Sequence, residues 1–228
     1  MGQIALSTLK TRARQKADMV NGNFIKDPEL LNYINEAYFN FYDLIVRSFE
    51  DYNLLGPVSF SISSGSSTYS LPAAFYKVAG VDRSLGGGDY YGLERFEWSK
   101  RNSYNRSSYY LPSLRTKKLR YRITGNDLRI VPEQDAPGDY RLWYIPTPTA
   151  LADDADEIMG YNGFEELIVI DTAIKMLTKE ETDTASLMLE RQRQEQRLEK
   201  MLIARDIGNV DVIEDVYSDY EFYDFDWG

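Results

Sequence analysis

Apolar residues recur at three- and four-residue spacing at the start of the chain, at every second position through its middle, and at three and four again beyond it. Leu6, Leu9, Ala13, Ala17 and Val20, with basic residues between them, predict a first helix over residues 6–19. A second helix is marked more fully. Asp27 is placed to cap it, Pro28 suits its first turn, and Leu30, Leu31, Ile34, Ala37, Tyr38, Phe41, Leu44, Ile45 and Phe49 form a broad apolar face over residues 28–49.

From Pro57 the period falls to two. Val58, Phe60 and Ile62 alternate with Ser, a Ser/Gly turn occupies residues 63–67, and Tyr69 and Leu71 precede Pro72, which predicts a β-hairpin. Tyr76, Val78 and Val81 predict another strand. Gly86, Gly87 and Gly88 read as a flexible loop, and Leu93, Phe96 and Trp98 as a short helix over residues 93–102. Further on, Leu119, Tyr121 and Ile123 alternate with Lys118, Arg120 and Arg122; a turn at 124–127 containing Gly125 leads into a strand at 128–131, and residues 139–145 supply one more.

The helical period returns after an acidic loop at 153–157. Residues 164–178 are apolar almost all round (Leu167, Ile168, Val169, Ile170, Ala173, Ile174, Met176, Leu177), the pattern of a central buried helix. A last helix over 182–205 is apolar at its ends, at Leu187, Met188 and Leu189 and at Leu198, Met201 and Leu202, and polar over 190–197. Its middle is expected to project from the body or to face another subunit. The fold class expected is α+β: a helical base of two N-terminal and two C-terminal helices, an inserted antiparallel β-rich lobe, and an extended C-terminal arm. The divisions fall at 1–56 and 149–205 for the base, 57–148 for the lobe and 206–228 for the arm. No repeat with a solenoid period is present.

Composition narrows the chemistry. With no Cys and no His, the chain has no disulfide, thiolate, cysteine or histidine metal ligand, and no Ser-His or Cys-His nucleophile pair. No cofactor is expected. No apolar run approaches the roughly 20 residues needed to cross a bilayer, and the start turns basic after a short apolar stretch, the reverse of a signal peptide, so the chain is read as soluble and unexported, with no membrane partner.

The net charge of −10 is local. Residues 206–228 hold eight acids and no Lys or Arg, which leaves residues 1–205 at −2. In that segment acids alternate with apolar residues, and Tyr217, Tyr220, Phe222, Tyr223, Phe225 and Trp227 fall in the last twelve positions. Disordered tails are poor in aromatics. The segment therefore reads as an arm that docks on a partner through those six rings. Fixing it costs roughly 1–2 kcal/mol per residue in backbone entropy, and each buried ring returns roughly 1.5–3 kcal/mol. Rings alone do not balance that cost, so charge pairing, partial ordering or several arms acting together are required.

Three other clusters carry candidate chemistry. Arg115, Lys117, Lys118, Arg120 and Arg122 form the densest basic patch, with Tyr121 interleaved. They suit either the solvated face of a half-buried strand or contact with DNA or an acidic partner. Asp153, Asp154, Asp156 and Glu157 have the oxygen ligands of a calcium site but not the spacing of an EF-hand, and a solvated loop explains them. Gly86, Gly87 and Gly88 lack the Gly-Lys-Ser/Thr ending of a phosphate loop. Catalysis would rest on carboxylates that meet only in the fold.

Three stretches, LLNYINEAYFNFYDLIV (30–46), YSLPAAFYKVAGVD (69–82) and LRIVPEQDAPGDYRLWYIPTP (128–148), resemble the head-to-tail adaptor, or connector, proteins of tailed bacteriophages, of the short-tailed type. The resemblance implies a structural virion protein and no catalytic residues. It further implies a homo-oligomeric ring, commonly dodecameric, made in the host cytoplasm and attached beneath the portal protein at the virion neck. Such a ring surrounds packaged DNA and offers its far face to tail or nozzle proteins. In such families C-terminal extensions reach onto the portal, a role that here falls on residues 206–228. Some short-tailed-phage adaptors are associated with cell-wall hydrolysis, which keeps a carboxylate-dependent peptidoglycan hydrolase as an alternative, beside another neck or tail-completion protein.

Overall fold

The computed structural model describes residues 3–20, 24–48, 53–106, 110–111, 116–159 and 163–204. The chain opens with β1 (Gln3–Ala5), α1 (Leu6–Lys16) and α2 (Asp27–Ser48). Strands follow as β2 (Leu55–Ile62), β3 (Thr68–Ser70), β4 (Phe75–Gly86), β5 (Asp89–Gly92) and β6 (Glu94–Arg95). Then come α3 (Arg101–Arg106), β7 (Tyr110–Leu111), β8 (Thr116–Lys117), β9 (Arg120–Thr124), β10 (Asp127–Val131) and β11 (Gly138–Pro146). The last described elements are β12 (Glu157–Met159), α4 (Glu166–Lys179) and α5 (Ala185–Ala204). The fold is mixed α+β, with five helices among the described residues and sheets that are antiparallel except where β6 meets β9.

The apolar faces of α1, α2, α4 and α5 close on one core. In α4, Leu167, Ile168, Val169, Ile170, Ala173 and Met176 are buried, because α1, α2 and α5 all lie against this helix. Leu6, Leu9 and Ala13 bury the inner face of α1. The helix stops at Lys16 and Asp18 takes a left-handed turn at φ 55°, so Val20, expected on the same face, is exposed. Asp27 lies in the first turn of α2, and its carboxylate accepts a hydrogen bond from Arg14 at 2.8 Å. Phe49 lies outside the described residues. One pairing had no periodic signal: β1 is joined to β12 antiparallel, stapling the start of α1 to the chain before α4.

The expected projection of the middle of the last helix is corrected. Arg191 donates to Asp171 of α4 at 2.5 Å and to Glu195 at 2.8 Å, and Lys16 of α1 reaches Glu190 at 2.8 Å and Glu166 at 3.2 Å. One side of the polar run, at Glu190, Arg191 and Glu195, lies against the body because neighbouring helices present opposite charges there, while Gln192, Arg193, Gln196 and Arg197 are exposed. Each such half-exposed pair contributes at most about 1 kcal/mol, so their role is to set the helix in place while Leu198 and Leu202 anchor it. Met188 and Leu189, counted with its apolar end, are exposed.

Two four-stranded sheets, ordered β2-β11-β4-β5 and β3-β10-β9-β6, enclose the second core. The hairpin expected at 58–71 does not form. β2 pairs with β11 and β3 pairs with β10, so the turn at 63–67 carries the chain from one sheet to the other. The reason is packing: Phe60 stacks on Tyr69 at 4.0 Å and on Tyr140 at 5.3 Å, which places the two strands' rings face to face across the core. Gly86, Gly87 and Gly88 are not a loose loop but the turn of the β4–β5 hairpin, at φ 88°, 65° and 96°, a region that side chains disfavour. The helix expected over 93–102 is replaced by β6, a short 3-10 turn at Trp98–Lys100, and α3. Leu93 and Phe96 are buried against the sheets, which holds that stretch extended.

The two cores meet at Tyr42, Val46 and Ile145. Tyr42 donates to the Pro146 carbonyl at 2.5 Å, Tyr76 donates to Asp43 at 2.7 Å, and burial pushes the Tyr42 phenol up to about 12.

Candidate functional site

The basic patch takes shape on β9 and β10. Leu119, Tyr121, Leu128 and Ile130 point into the core between the sheets, so period-two alternation sends Arg120, Arg122 and Arg129 to the outer face. Antiparallel register sets Arg122 directly opposite Arg129.

This face is partly covered and not simply solvated. Lys118 pairs with Glu94 at 2.7 Å and Arg120 with the same carboxylate at 3.4 Å. The Lys118 hydrogen bond, more than any other contact, holds the Glu94 carboxyl below its usual range. Arg120 also lies over the Tyr104 ring, 4.4 Å from its centroid, and Arg122 donates to the Phe96 carbonyl at 3.1 Å. Trp98 then stacks beside Phe96 at 6.4 Å and offers its ring to two guanidiniums, Arg101 at 5.1 Å and Arg129 at 5.8 Å. Trp98 is 36% exposed. Arg129 has Glu133 at 3.8 Å, and Arg101 donates to the Trp98 carbonyl at 3.1 Å.

Of the residues singled out in the sequence, Lys118, Arg120 and Arg122 are therefore brought together. Lys117 closes β8, and Arg115 lies outside the described residues. Trp98, Arg101, Tyr104 and Arg129 join the surface without having been expected there. Arg129 was within reach of sequence reasoning, because a tight turn at 124–127 sets it across from Arg122. Trp98 and Arg101 were not, since their placement depends on the chain folding back over the sheet. Tyr217, Tyr220, Phe222, Tyr223, Phe225 and Trp227 all lie outside the described residues.

The acidic loop is occupied by its own chain. Asp156 accepts backbone hydrogen bonds from Ala152 at 2.7 Å and Asp153 at 2.9 Å, which hold its carboxyl low, and Asp154 receives Lys10 at 2.6 Å. Among the described residues, no group of three or more acids is arranged to hold a metal ion, and no helix is long and apolar enough to cross a membrane. The outer sheet face brings guanidiniums close to aromatic rings, groups of the kind that pair with carboxylates, phosphates and other rings.

No curated protein matches the chain. The model of the SU10 adaptor protein family matches residues 4–213, from β1 past the end of α5, and the chain belongs to that family.

Proposed function

We propose that the chain is a head-to-tail adaptor that forms a ring, commonly dodecameric in proteins of this kind, attaches beneath the portal and offers a platform to tail or nozzle proteins. Its role is structural, at the neck of the virion, with packaged DNA passing through the ring. In this reading residues 1–56 and 149–205 make a helical base, residues 57–148 an inserted lobe, and residues 206–228 an arm that docks on a partner through Tyr217, Tyr220, Phe222, Tyr223, Phe225 and Trp227. The observation that carries the reading is the family match over residues 4–213. The helices that share one core and the separate two-sheet core support the division into base and lobe.

The test is attachment. Full-length chain mixed with isolated portal rings is expected to add a second ring of density in negative-stain images, and a chain lacking residues 206–228 is expected to leave the portal bare. Bare portals with the full-length chain would overturn the adaptor reading; normal attachment by the shortened chain would overturn the arm assignment alone. Attachment weakens as salt rises where charge pairing contributes.

A further inference from the structure

Charge is segregated along this chain. Residues 93–131 hold ten Lys and Arg against three acids, a balance of +7, while residues 206–228 stand at −8. The acidic segment is rich in aromatic residues, and the basic one carries six. The fold gathers part of the first onto a single surface, the outer face of the β3-β10-β9-β6 sheet. There Arg122 and Arg129 stand opposite one another, an arrangement in which like charges repel. Arg101 and Arg129 share the half-exposed Trp98 ring. Two of the three guanidiniums donate to carbonyls, Arg101 to Trp98 and Arg122 to Phe96, which satisfies donors without cancelling charge. The nearest acid to Arg129 is Glu133 at 3.8 Å. Such a surface fits a ligand that brings carboxylates and rings together, because carboxylates fork onto guanidiniums and rings stack on their planes.

We propose that in the free subunit residues 217–227 of the same chain lie on this surface, with Asp219, Glu221, Asp224 and Asp226 against Arg101, Arg122 and Arg129 and the arm's rings against Trp98. The proposal rests on the reading of residues 206–228 as a docking arm and names the acceptor that the arm uses before a partner is present. The described part of α5 ends at Ala204. The chain from 205 to 216 spans up to ~40 Å when extended, against a radius of gyration of ~17 Å for a compact chain of this length. A tether of that length holds the arm at an effective concentration on the order of mM, so a contact too weak to join separate molecules is populated within one. Docking on a partner then exchanges one acceptor for another and uncovers the basic face. A subunit built this way presents neither its acidic arm nor its arginine surface until it is assembled.

The experiment uses the full-length chain without portal. A photo-crosslinking benzoylphenylalanine replaces Tyr220, or Phe225 in a second sample, and equal amounts of ordinary and nitrogen-15-labelled chain are mixed, irradiated and peptide-mapped. Crosslinks joining the arm to peptides that carry Trp98 and Arg101, or Arg129, with both ends from the same isotope, are expected. Their yield should fall at least about fivefold in roughly 0.5 M salt and in an R101Q/R129Q variant whose circular dichroism matches the parent. Absence of these crosslinks at both probe positions, or equal yield in the variant, overturns the proposal. Mixed-isotope crosslinks to the same peptides overturn it too, by assigning the surface to the arm of another copy. Portal attachment is measured separately, so either outcome leaves the adaptor reading to its own test.

Discussion

Each of the two sheets carries arginine on its outer face, Arg141 alone on one and several on the other, and the two surroundings are built on opposite principles. On β4 and β11, Arg141 stands directly across from Asp82. The Asp82 carboxylate accepts from Arg141 at 3.1 Å and from the Trp143 indole at 2.7 Å, and the Arg141 guanidinium lies 3.3 Å from the centre of the Tyr90 ring. On β9 and β10 the equivalent cross-strand pair is Arg122 and Arg129. Opposite charges across a ladder stabilise it and like charges do the reverse. The first arginine has its charge partner within the subunit, although its buried Nε has no hydrogen-bond acceptor among the described residues. The second cluster pairs Lys118 and Arg120 with Glu94 and Arg129 with Glu133, while Arg101 and Arg122 meet carbonyls in place of carboxylates.

Substitutions should separate the two clusters cleanly. Asp82→Ala leaves a half-buried guanidinium and an indole N–H without their shared acceptor, and a loss of about 2–4 kcal/mol in urea unfolding is expected. A smaller loss than Arg129→Gln would break the distinction. Between the sheets, Tyr140 donates to the Ala136 carbonyl, and burial pushes its phenol up to about 12, above the roughly 10 of a free tyrosine. A raised value means that its contribution is intact below about pH 10 and lost as pH rises through about 12. Tyr42, raised in the same way, titrates over the same window in both proteins, so denaturation at stepped pH should show the parent losing about 2–3 kcal/mol more than Tyr140→Phe between about pH 10 and 12.

The remaining two effects are smaller. Glu94→Ala releases Lys118 and Arg120 from their common partner at the exposed edge, so stability changes by at most about 1 kcal/mol while elution from heparin moves to higher salt. Unchanged elution would show that the face does not act as an anion-binding surface. Arg129→Gln removes one of two facing positive charges, and its unfolding free energy is expected to stay within about 0.5 kcal/mol of the parent or to rise slightly. A loss above 1 kcal/mol would place Arg129 with Arg141 as a structural arginine.

Periodicity read α2 and α4 well because the first has a broad apolar face long enough to repeat and the second is apolar on the several sides that neighbours cover. Residues 28–49 and 164–178 stand close to α2 and α4 for that reason. It failed where two short strands near one another in sequence belong to different sheets. Alternation in Val58, Phe60 and Ile62 and in Tyr69 and Leu71 says that each strand has a buried face, not which strand it pairs with, and the β2–β11 and β3–β10 ladders are decided by partners more than fifty residues away. The projection expected for the charged middle of α5 failed on one side of the helix for a related reason. A polar run looks solvent-facing until Lys16, Asp171 and Arg47 are placed beside it.

The candidate surface was half legible. Alternation put Arg120 and Arg122 on one side of a strand, and their count marked the patch. The Trp98 ring and Arg101 joined it only because Phe96, buried at 2% exposure, pulls that stretch across the sheet edge.

By itself, the sequence determined the helical and extended periods, the absence of Cys and His chemistry, and the separation of charge between residues 93–131 and 206–228. Those are properties of order and composition, and no folding changes them. Only the tertiary structure decided which charges face each other. Cross-strand register made Arg141 and Asp82 a pair and Arg122 and Arg129 neighbours, since a distance between side chains is a property of the folded ladder and not of their separation along the chain.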